Sequence, residues 1–176
     1  MATIEVVKTN AAKLRELHER VHDAARHRNE GKEANERWRQ ATKAYHEQYD
    51  QLAYPGGLNQ FLSRLPSKDP ETIELVIEYL EADPWFFRSG YIKEHLLSYL
   101  KHAPLTSSQR LRLQYLILRK IEGKWLREFR YYARLAPVVA DREFTDRVSA
   151  FLDSERTVSQ RAHFVLQCCR AAPARK

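Results

Sequence analysis

Glycine and proline are scarce in this sequence, with five and seven residues among 176. Both residues serve tight turns and both disfavour helix interiors, so their scarcity argues against a fold of many short strands and turns. Leu, Ala, Glu, Lys, Arg and Gln dominate instead, and these residues lose least on entering a helix. We therefore predict an all-α protein.

Long apolar runs and separated cysteines are also missing. No stretch approaches the roughly 18 apolar residues that cross a bilayer, and residues 1–10 contain no apolar core of signal-peptide length. The two cysteines, Cys168 and Cys169, are neighbours, and a disulfide between neighbours is strained. Free thiols without a signal sequence predict a cytoplasmic protein that has no membrane partner.

Glycine-rich phosphate-binding loops and serine nucleophile elbows are absent from the sequence. Three aspartates, Asp69, Asp83 and Asp141, stand just before predicted helices. A carboxylate there caps free backbone N–H groups, so we interpret these residues as helix caps. The sequence predicts neither a cofactor nor an enzyme.

One short motif points to a different chemistry. The string from His18 to His22 reads His-Glu-Arg-Val-His and matches the His-Glu-x-x-His of zinc metalloproteases. Its histidines share one helix face, and Glu19 could act as a general base. Fewer than eighteen residues precede the motif, which leaves no room for the sheet that shapes a protease cleft. We expect His18 and His22 to form at most a weak metal site.

Residues 1–53 keep an apolar 3-4 spacing at both ends and a polar middle. Asn10 is a potential cap for a helix that begins at Ala11. Because Gly31 lies in the polar middle, either two helices turn there as a hairpin or one long helix continues through it, and the hairpin is favoured. The predicted buried face consists of Trp38, Tyr45, Tyr49 and Leu52.

Helix start signals recur regularly in the rest of the chain. An Asp-Pro pair places a cap before a first-turn proline, and a Thr followed three residues later by Gln fits a capping box. These signals stand at Asp69-Pro70, Asp83-Pro84, Thr106 with Gln109, and Thr157 with Gln160, and Asp141 is a further potential cap. A further helix is predicted from about Lys124 to Ala136, before Pro137.

The predicted helices pair with a regular period. First members start near 70, 107 and 142, and second members near 91, 125 and 158. The spacing between successive pairs is thus about 35 residues. Helical hairpins that repeat with a period of roughly 35 to 45 residues are typical of an α-solenoid. The last pair, residues 141–170, resembles a HEAT-type repeat, because two apolar stripes surround Asp153 and Arg161. The resemblance implies a stacked scaffold whose concave face binds a partner, and it implies no catalysis.

We therefore expect a short α-solenoid of about three helical hairpins, preceded by an N-terminal helical hairpin or long helix. The expected domains are a coiled-coil-like appendage at 1–53, a HEAT-like repeat domain at 58–170 and a disordered tail at 171–176.

Positive charge is concentrated between Leu105 and Pro137. This stretch holds eight Lys and Arg against two Glu, so it carries +6 of the formal net charge of +7, and aromatic residues are interleaved. Such a surface is typical of a protein that holds an anionic partner. If one helix runs through Gly123 the basic residues share a face; if Gly123 breaks it, they divide between two helices. The candidate binding residues are Lys120, Lys124, Arg127, Arg130 and Arg134.

A second candidate group lies in the segment from Asp83 to Tyr91, which holds four aromatic residues. Trp, Tyr and Arg anchor protein interfaces, but a corner between helices also needs bulky core residues. The segment is therefore either a partly exposed site or part of the core. Its candidate binding residues are Trp85, Phe86, Arg88 and Tyr91.

Together these patterns predict a non-enzymatic adaptor, regulatory or immunity-type protein that holds an acidic protein surface. The alternative is a nucleic-acid-binding helical-repeat protein. Residues 54–103 carry seven acids against five Lys and Arg, and this polarity suits an oriented contact better than coating by nucleic acid. A zinc-dependent hydrolase using His18 and His22 is the least favoured function.

Overall fold

The structure is a computed structural model that describes residues 4–171. These residues contain no β-strand and form nine α-helices, which confirms the predicted all-α class. The helices are α1 Ile4–His27, α2 Lys32–Ala53, α3 Leu58–Ser63, α4 Pro70–Ala82, α5 Ser89–Leu100, α6 Ser107–Glu122, α7 Phe129–Val139, α8 Arg142–Ser149 and α9 Arg156–Ala171. None of them is both long enough and apolar enough to cross a membrane.

The described residues divide into two compact units, one ending at Ser89 and the other beginning at Gly90. In the first unit α1 packs against α2 and α4, and α3 packs against α2. In the second unit α7 packs against α6 and α9, and α9 also packs against α8. The solenoid arrangement and the domain boundaries stay predictions. The predicted tail lies outside the described residues, except for Ala171, which ends α9.

The first two helices form the hairpin that the polar middle of residues 1–53 favoured. Gly31 precedes α2 at φ 149°, a backbone conformation that side chains with a Cβ rarely adopt. Of the predicted buried face, Tyr45 is buried, and Trp38, Tyr49 and Leu52 are half-buried. The predicted start at Ala11 is wrong, because α1 begins at Ile4. The burial of Val7 and Ala11 extends the packed stripe past the possible cap at Asn10.

Three predicted caps are present. Asp69 accepts a hydrogen bond from the Thr72 backbone N–H at the start of α4, and Asp141 does the same for Phe144 at the start of α8. Thr106 and Gln109 form the predicted capping box of α6.

The predicted helix starts at Asp83 and Thr157 are also wrong. Asp83 ends α4 instead of beginning a helix, because it adopts the left-handed conformation and its N–H binds the Tyr79 carbonyl. Thr157 lies inside α9, which begins at Arg156.

The sixth and seventh helices are separate, as the second of the two alternatives for Gly123 allowed. Gly123 ends α6, and α7 begins at Phe129 instead of near Lys124. The predicted end of α7 before Pro137 is also wrong, because α7 continues to Val139. Proline so close to a helix end removes one backbone hydrogen bond and leaves the preceding turns intact.

Side chains of α6 bind the end of α7. The Arg110 guanidinium donates to the Val138 carbonyl oxygen at 2.7 Å, and the Gln114 amide donates to that of Val139 at 2.8 Å. From α9, the buried Arg161 donates through Nε to the Ile121 carbonyl oxygen at 2.6 Å. The last carbonyls of both helices therefore gain partners that the helices themselves do not supply.

Candidate functional site

The α6–α7 turn, residues 124–128, holds two basic residues and an exposed tryptophan. It exists because Gly123 ends α6 with an extended backbone conformation. Trp125 is 55% exposed and Leu126 is 37% exposed. Two large apolar side chains exposed side by side, between Lys124 and Arg127, make the turn a candidate contact surface.

Two ion pairs attach the turn to α5. The Lys93 ammonium lies 3.4 Å from a Glu128 carboxylate oxygen, and both residues are buried. Arg127 donates through Nε to Glu94 at 2.6 Å, on the outer side of the same turn. The two pairs join neighbouring residues of α5 to neighbouring residues of the turn, so its backbone is fixed at the end that leads into α7.

Arg127 makes further contacts that orient its side chain. Its guanidinium carbon lies 4.0 Å from the centre of the Tyr91 ring, and a terminal nitrogen donates to the Tyr91 hydroxyl at 2.9 Å. The hydrogen bond to Glu94 raises the pKa of Arg127 above its usual value. Arg127 and Tyr91, both predicted binding residues, therefore lie together, with the Arg127 charge compensated by Glu94.

The Trp125 ring rests on other aromatic side chains. Its centre lies 4.9 Å from that of Phe129 and 6.2 Å from that of Phe164 on α9. Phe129 is buried, so one side of the indole touches the core while the rest is open to solvent. A large ring held in this way loses little conformational freedom when a partner covers it.

The basic residues near the turn have different roles. Arg119, Lys124 and Arg130 are exposed and have no hydrogen bond or ion pair among the described residues. Arg134 is exposed on α7 one helical turn after Arg130, 5.8 Å from the Tyr131 ring centre. Lys120 is half-buried, with its ammonium 5.4 Å from the centre of the Tyr132 ring. In sequence, the exposed cations Lys124 and Arg130 stand on either side of Trp125 and Leu126.

The sequence did not identify Trp125 and Leu126 as binding residues. A signal was available, because both follow the glycine that ends a helix and stand between Lys124 and Arg127. Apolar residues that stand between two cations in a turn lie outside a helix, so they cannot belong to the buried apolar stripe of one.

Three members of the second candidate group, Trp85, Phe86 and Arg88, lie in the first unit, and they differ in burial. Trp85 is 64% exposed and Phe86 is 5% exposed, so the segment is part surface and part core. Arg15 of α1 donates to the Trp85 carbonyl oxygen at 2.9 Å, and its guanidinium lies 5.8 Å from the Trp85 ring centre. Phe86 is therefore a packing residue that supports the exposed neighbours.

The two histidines of the zinc-like motif lie side by side, with ring centres 4.5 Å apart. His18 also stacks on Phe87 at 4.7 Å, and burial lowers the pKa of His18, with the charge of His22 adding to the effect. A hydrolytic zinc site takes three protein ligands. Among residues 4–171, no group of three or more His, Cys, Asp or Glu side chains could hold a metal ion.

Comparison of the chain with protein-family models, curated proteins and solved structures found no match.

Proposed function

We propose that this protein is a non-enzymatic adaptor or regulatory protein that binds an acidic surface of another protein through the α6–α7 turn. The observation that carries the proposal is the exposure of Trp125 and Leu126 between the unpaired cations Lys124 and Arg130. Trp and Arg are the residues most enriched among those that dominate binding energy at protein interfaces.

The turn has the two components that an interface needs. The indole of Trp125 supplies apolar area at the centre, and the cations around it can meet carboxylates at the rim. Charge at a rim chiefly accelerates association and selects the partner, whereas the buried centre supplies most of the affinity. Attachment of Arg127 and Glu128 to α5 reduces the ordering cost on binding, because this end of the turn is already fixed before a partner arrives.

The scaffold in this proposal is the HEAT-like solenoid that the sequence predicts. Support comes from contacts inside the second unit, where α6 with α7 and α8 with α9 are packed pairs. Arg161, the arginine of the HEAT-like pattern, bonds from α9 to the last turn of α6. Such contacts between successive pairs are what a repeat stack requires.

A protein partner is favoured over nucleic acid by the acids near the turn. Glu94 compensates the charge of Arg127, and Glu128 is paired with Lys93. Glu122 adds an exposed negative charge at the end of α6. A strong duplex-binding protein neutralises roughly 6–10 phosphates. The unpaired cations Arg119, Lys124 and Arg130, with Arg134 beside them, are too few for such a contact.

The test uses the full chain as bait in quantitative affinity purification, followed by binding measurements with the purified captured protein. The test variant is Lys124→Ser/Trp125→Ser/Arg130→Ser. The control is Arg142→Ser/Tyr115→Ser/Arg156→Ser, which removes the same charge and one exposed aromatic ring elsewhere in the second unit. We expect an acidic protein to bind the parent and the control alike and to bind the test variant at least tenfold more weakly, as about 1.4 kcal/mol would produce.

Equal binding by the test variant would remove the α6–α7 turn from consideration. A raised 260/280 nm ratio in the purified protein, with binding abolished by nuclease, would favour the nucleic-acid alternative.

A further inference from the structure

We propose that a cleft in the first unit is a binding site for a small molecule that carries an aromatic ring and a single carboxylate. The cleft has a volume of about 390 Å³ and is formed by α2, α3 and the loop that follows α4. Small-molecule sites in proteins usually enclose roughly 300–1,000 Å³. This inference is independent of the proposed function, because all residues that carry it precede Gly90.

Aromatic rings form the apolar walls of the cleft, namely Tyr45 and Tyr49 of α2 and Phe87 of the loop. The two tyrosine ring centres are 5.6 Å apart. His18 stacks on Phe87 with an angle of 14° between the ring planes, and the Tyr49 hydroxyl lies 3.5 Å from the Phe87 carbonyl oxygen. These contacts hold the walls in place before any ligand arrives, and flat apolar walls favour a planar ring.

Among residues 4–171 the Tyr45 hydroxyl has no hydrogen-bond partner, although only 6% of the residue is exposed. Buried hydroxyl groups nearly always have a partner in the protein, an ordered water or a ligand. Burial raises the pKa of Tyr45 to about 12, so the hydroxyl keeps its proton at neutral pH. It is therefore a hydrogen-bond donor in need of an acceptor.

Arg88 supplies a positive charge at the same cleft. Its side chain is exposed and has no hydrogen bond or ion pair among the described residues, and its guanidinium lies 5.5 Å from the Phe87 ring centre. The Arg88 charge also acts on the Tyr45 hydroxyl, where it offsets part of the effect of burial on the pKa. Both residues line the cleft, but the Tyr45 hydroxyl oxygen is covered, so donation to one acceptor group requires the Tyr45 side chain to turn toward the ligand.

The backbone at Arg88 is held in an unusual conformation. Its φ of 72° lies in the left-handed region, which residues with a Cβ rarely adopt. The neighbouring turn fixes it there, because the Ser89 N–H binds the Phe86 carbonyl and the Phe86 N–H binds the Ser89 hydroxyl. Strained backbone of this kind concentrates at ligand sites.

A carboxylate is the acceptor that fits this donor pair. Arg presents two parallel N–H groups that match the two oxygens of a carboxylate. A hydrogen bond between charged groups is about twice as strong as a neutral one. Asp50 limits the ligand to one negative charge, since its carboxylate also lines the cleft and accepts a hydrogen bond from the Asn59 N–H at 2.9 Å. A doubly charged phosphate would be repelled by Asp50, whereas a monocarboxylate has Arg88 to compensate it.

The test is isothermal titration of the full chain with three probes: 3-phenylpropionate, its uncharged amide, and propionate, which lacks the ring. We expect 3-phenylpropionate to bind and the other two to bind at least about tenfold more weakly. Arg88→Asn, which tolerates the left-handed backbone, and Tyr45→Phe, which keeps the ring, should each weaken 3-phenylpropionate binding by a factor of about ten.

The matched control is Tyr79→Phe, which removes another buried hydroxyl without a partner from the same unit but not from the cleft. It should bind 3-phenylpropionate like the parent, and circular dichroism should show that all three variants fold. Absence of 3-phenylpropionate binding at millimolar concentration would overturn the proposal. Equal binding of the amide, or unchanged binding by Arg88→Asn, would do the same.

Discussion

Cys168 and Cys169 lie half-buried on α9, and their chemistry follows from that position. Burial raises the pKa of the Cys169 thiol to about 11, and the neighbouring Cys168 adds to the effect. Burial also raises the pKa of Cys168, although the charges of Arg134 and Lys101 offset part of the change. Since the thiolate is the reactive form, both residues are expected to be sluggish nucleophiles at neutral pH.

Alkylation of the folded protein by iodoacetamide should therefore be slow near neutral pH. The rate should rise about tenfold for each pH unit below the thiol pKa, because the thiolate fraction rises by that factor. Intact-mass spectrometry at several pH values measures this directly. Protein unfolded in guanidinium is the control and should be labelled rapidly at both sites. Labelling of the folded chain at neutral pH as fast as free cysteine would contradict the assignment.

The buried ion pair between Lys93 and Glu128 should be costly to break from either side. Lys93→Met leaves the Glu128 carboxylate without its partner, and the loss of one partner from a buried pair costs about 3–5 kcal/mol. Exchange of both residues for Met should restore most of the stability, because neither position then holds a buried charge. Urea denaturation of the two single variants and the double variant measures this, and single variants that lose less than about 1 kcal/mol would show that the pair is replaceable.

At the scale of elements, the loop between α4 and α5 is held against α1 by a histidine. His18 stacks on Phe87, and burial lowers the pKa of His18 from its ordinary 6.5, with the charge of His22 adding to the effect. Between the lowered value and 6.5 the unfolded chain binds more protons than the folded chain. The contribution of His18 to stability is therefore complete above the ordinary value and falls as the pH drops below it.

His18→Phe should remove part of the loss of stability on acidification from neutral pH, because phenylalanine can stack on Phe87 and takes up no proton. Thermal unfolding as a function of pH compares the parent with this variant. His102→Gln, at an exposed site outside the first unit, is the control and should keep the parent profile. An NMR titration that gives His18 a pKa of 6.5 or more would contradict the interpretation.

Local capping chemistry explains which elements the sequence predicts well. Asp69, Thr106 and Asp141 each satisfy a free N–H within three residues, so the signal and its structural effect share a short segment. Asp83 has the same Asp-Pro signal as Asp69, but it stands at the end of α4, where its own left-handed conformation decides the outcome. The prediction that Asn10 caps α1 is wrong for a different reason. Val7 is buried, so the packed helix already begins before Asn10.

The sequence predicts the positive charge of the candidate site but not the partners of its basic side chains. A count of residues 105–137 finds the basic excess without showing that Glu94, 33 residues away, compensates Arg127. The same count includes Arg110, which binds the Val138 carbonyl and stabilises the end of α7. Partners so far apart in sequence are brought together by packing, which no local pattern reports.

At the scale of the whole molecule, the N-terminal hairpin is expected to be necessary for solubility. In the structure α1 packs against α4, and eight of the thirteen residues of α4 are buried. Deletion of residues 1–53 should expose apolar surface on α4, and large apolar patches seldom stay free in solution. Light scattering and dye binding on residues 54–176 should show aggregation.

Co-expression of residues 1–53 with residues 54–176 is the control for this deletion and should restore a soluble complex. If residues 54–176 alone remain monomeric and equally stable, the hairpin is an independent module and its packing on α4 is dispensable.

The buried pair of Lys93 and Glu128 also constrains how this chain can change through descent. A codon change that removes the charge at either position would break this buried ion pair and leave the other charge without it, so most such changes should be eliminated by selection. The two codons are expected to change together or not at all. Relatives of this chain should therefore carry opposite charges, or two apolar residues, at positions 93 and 128.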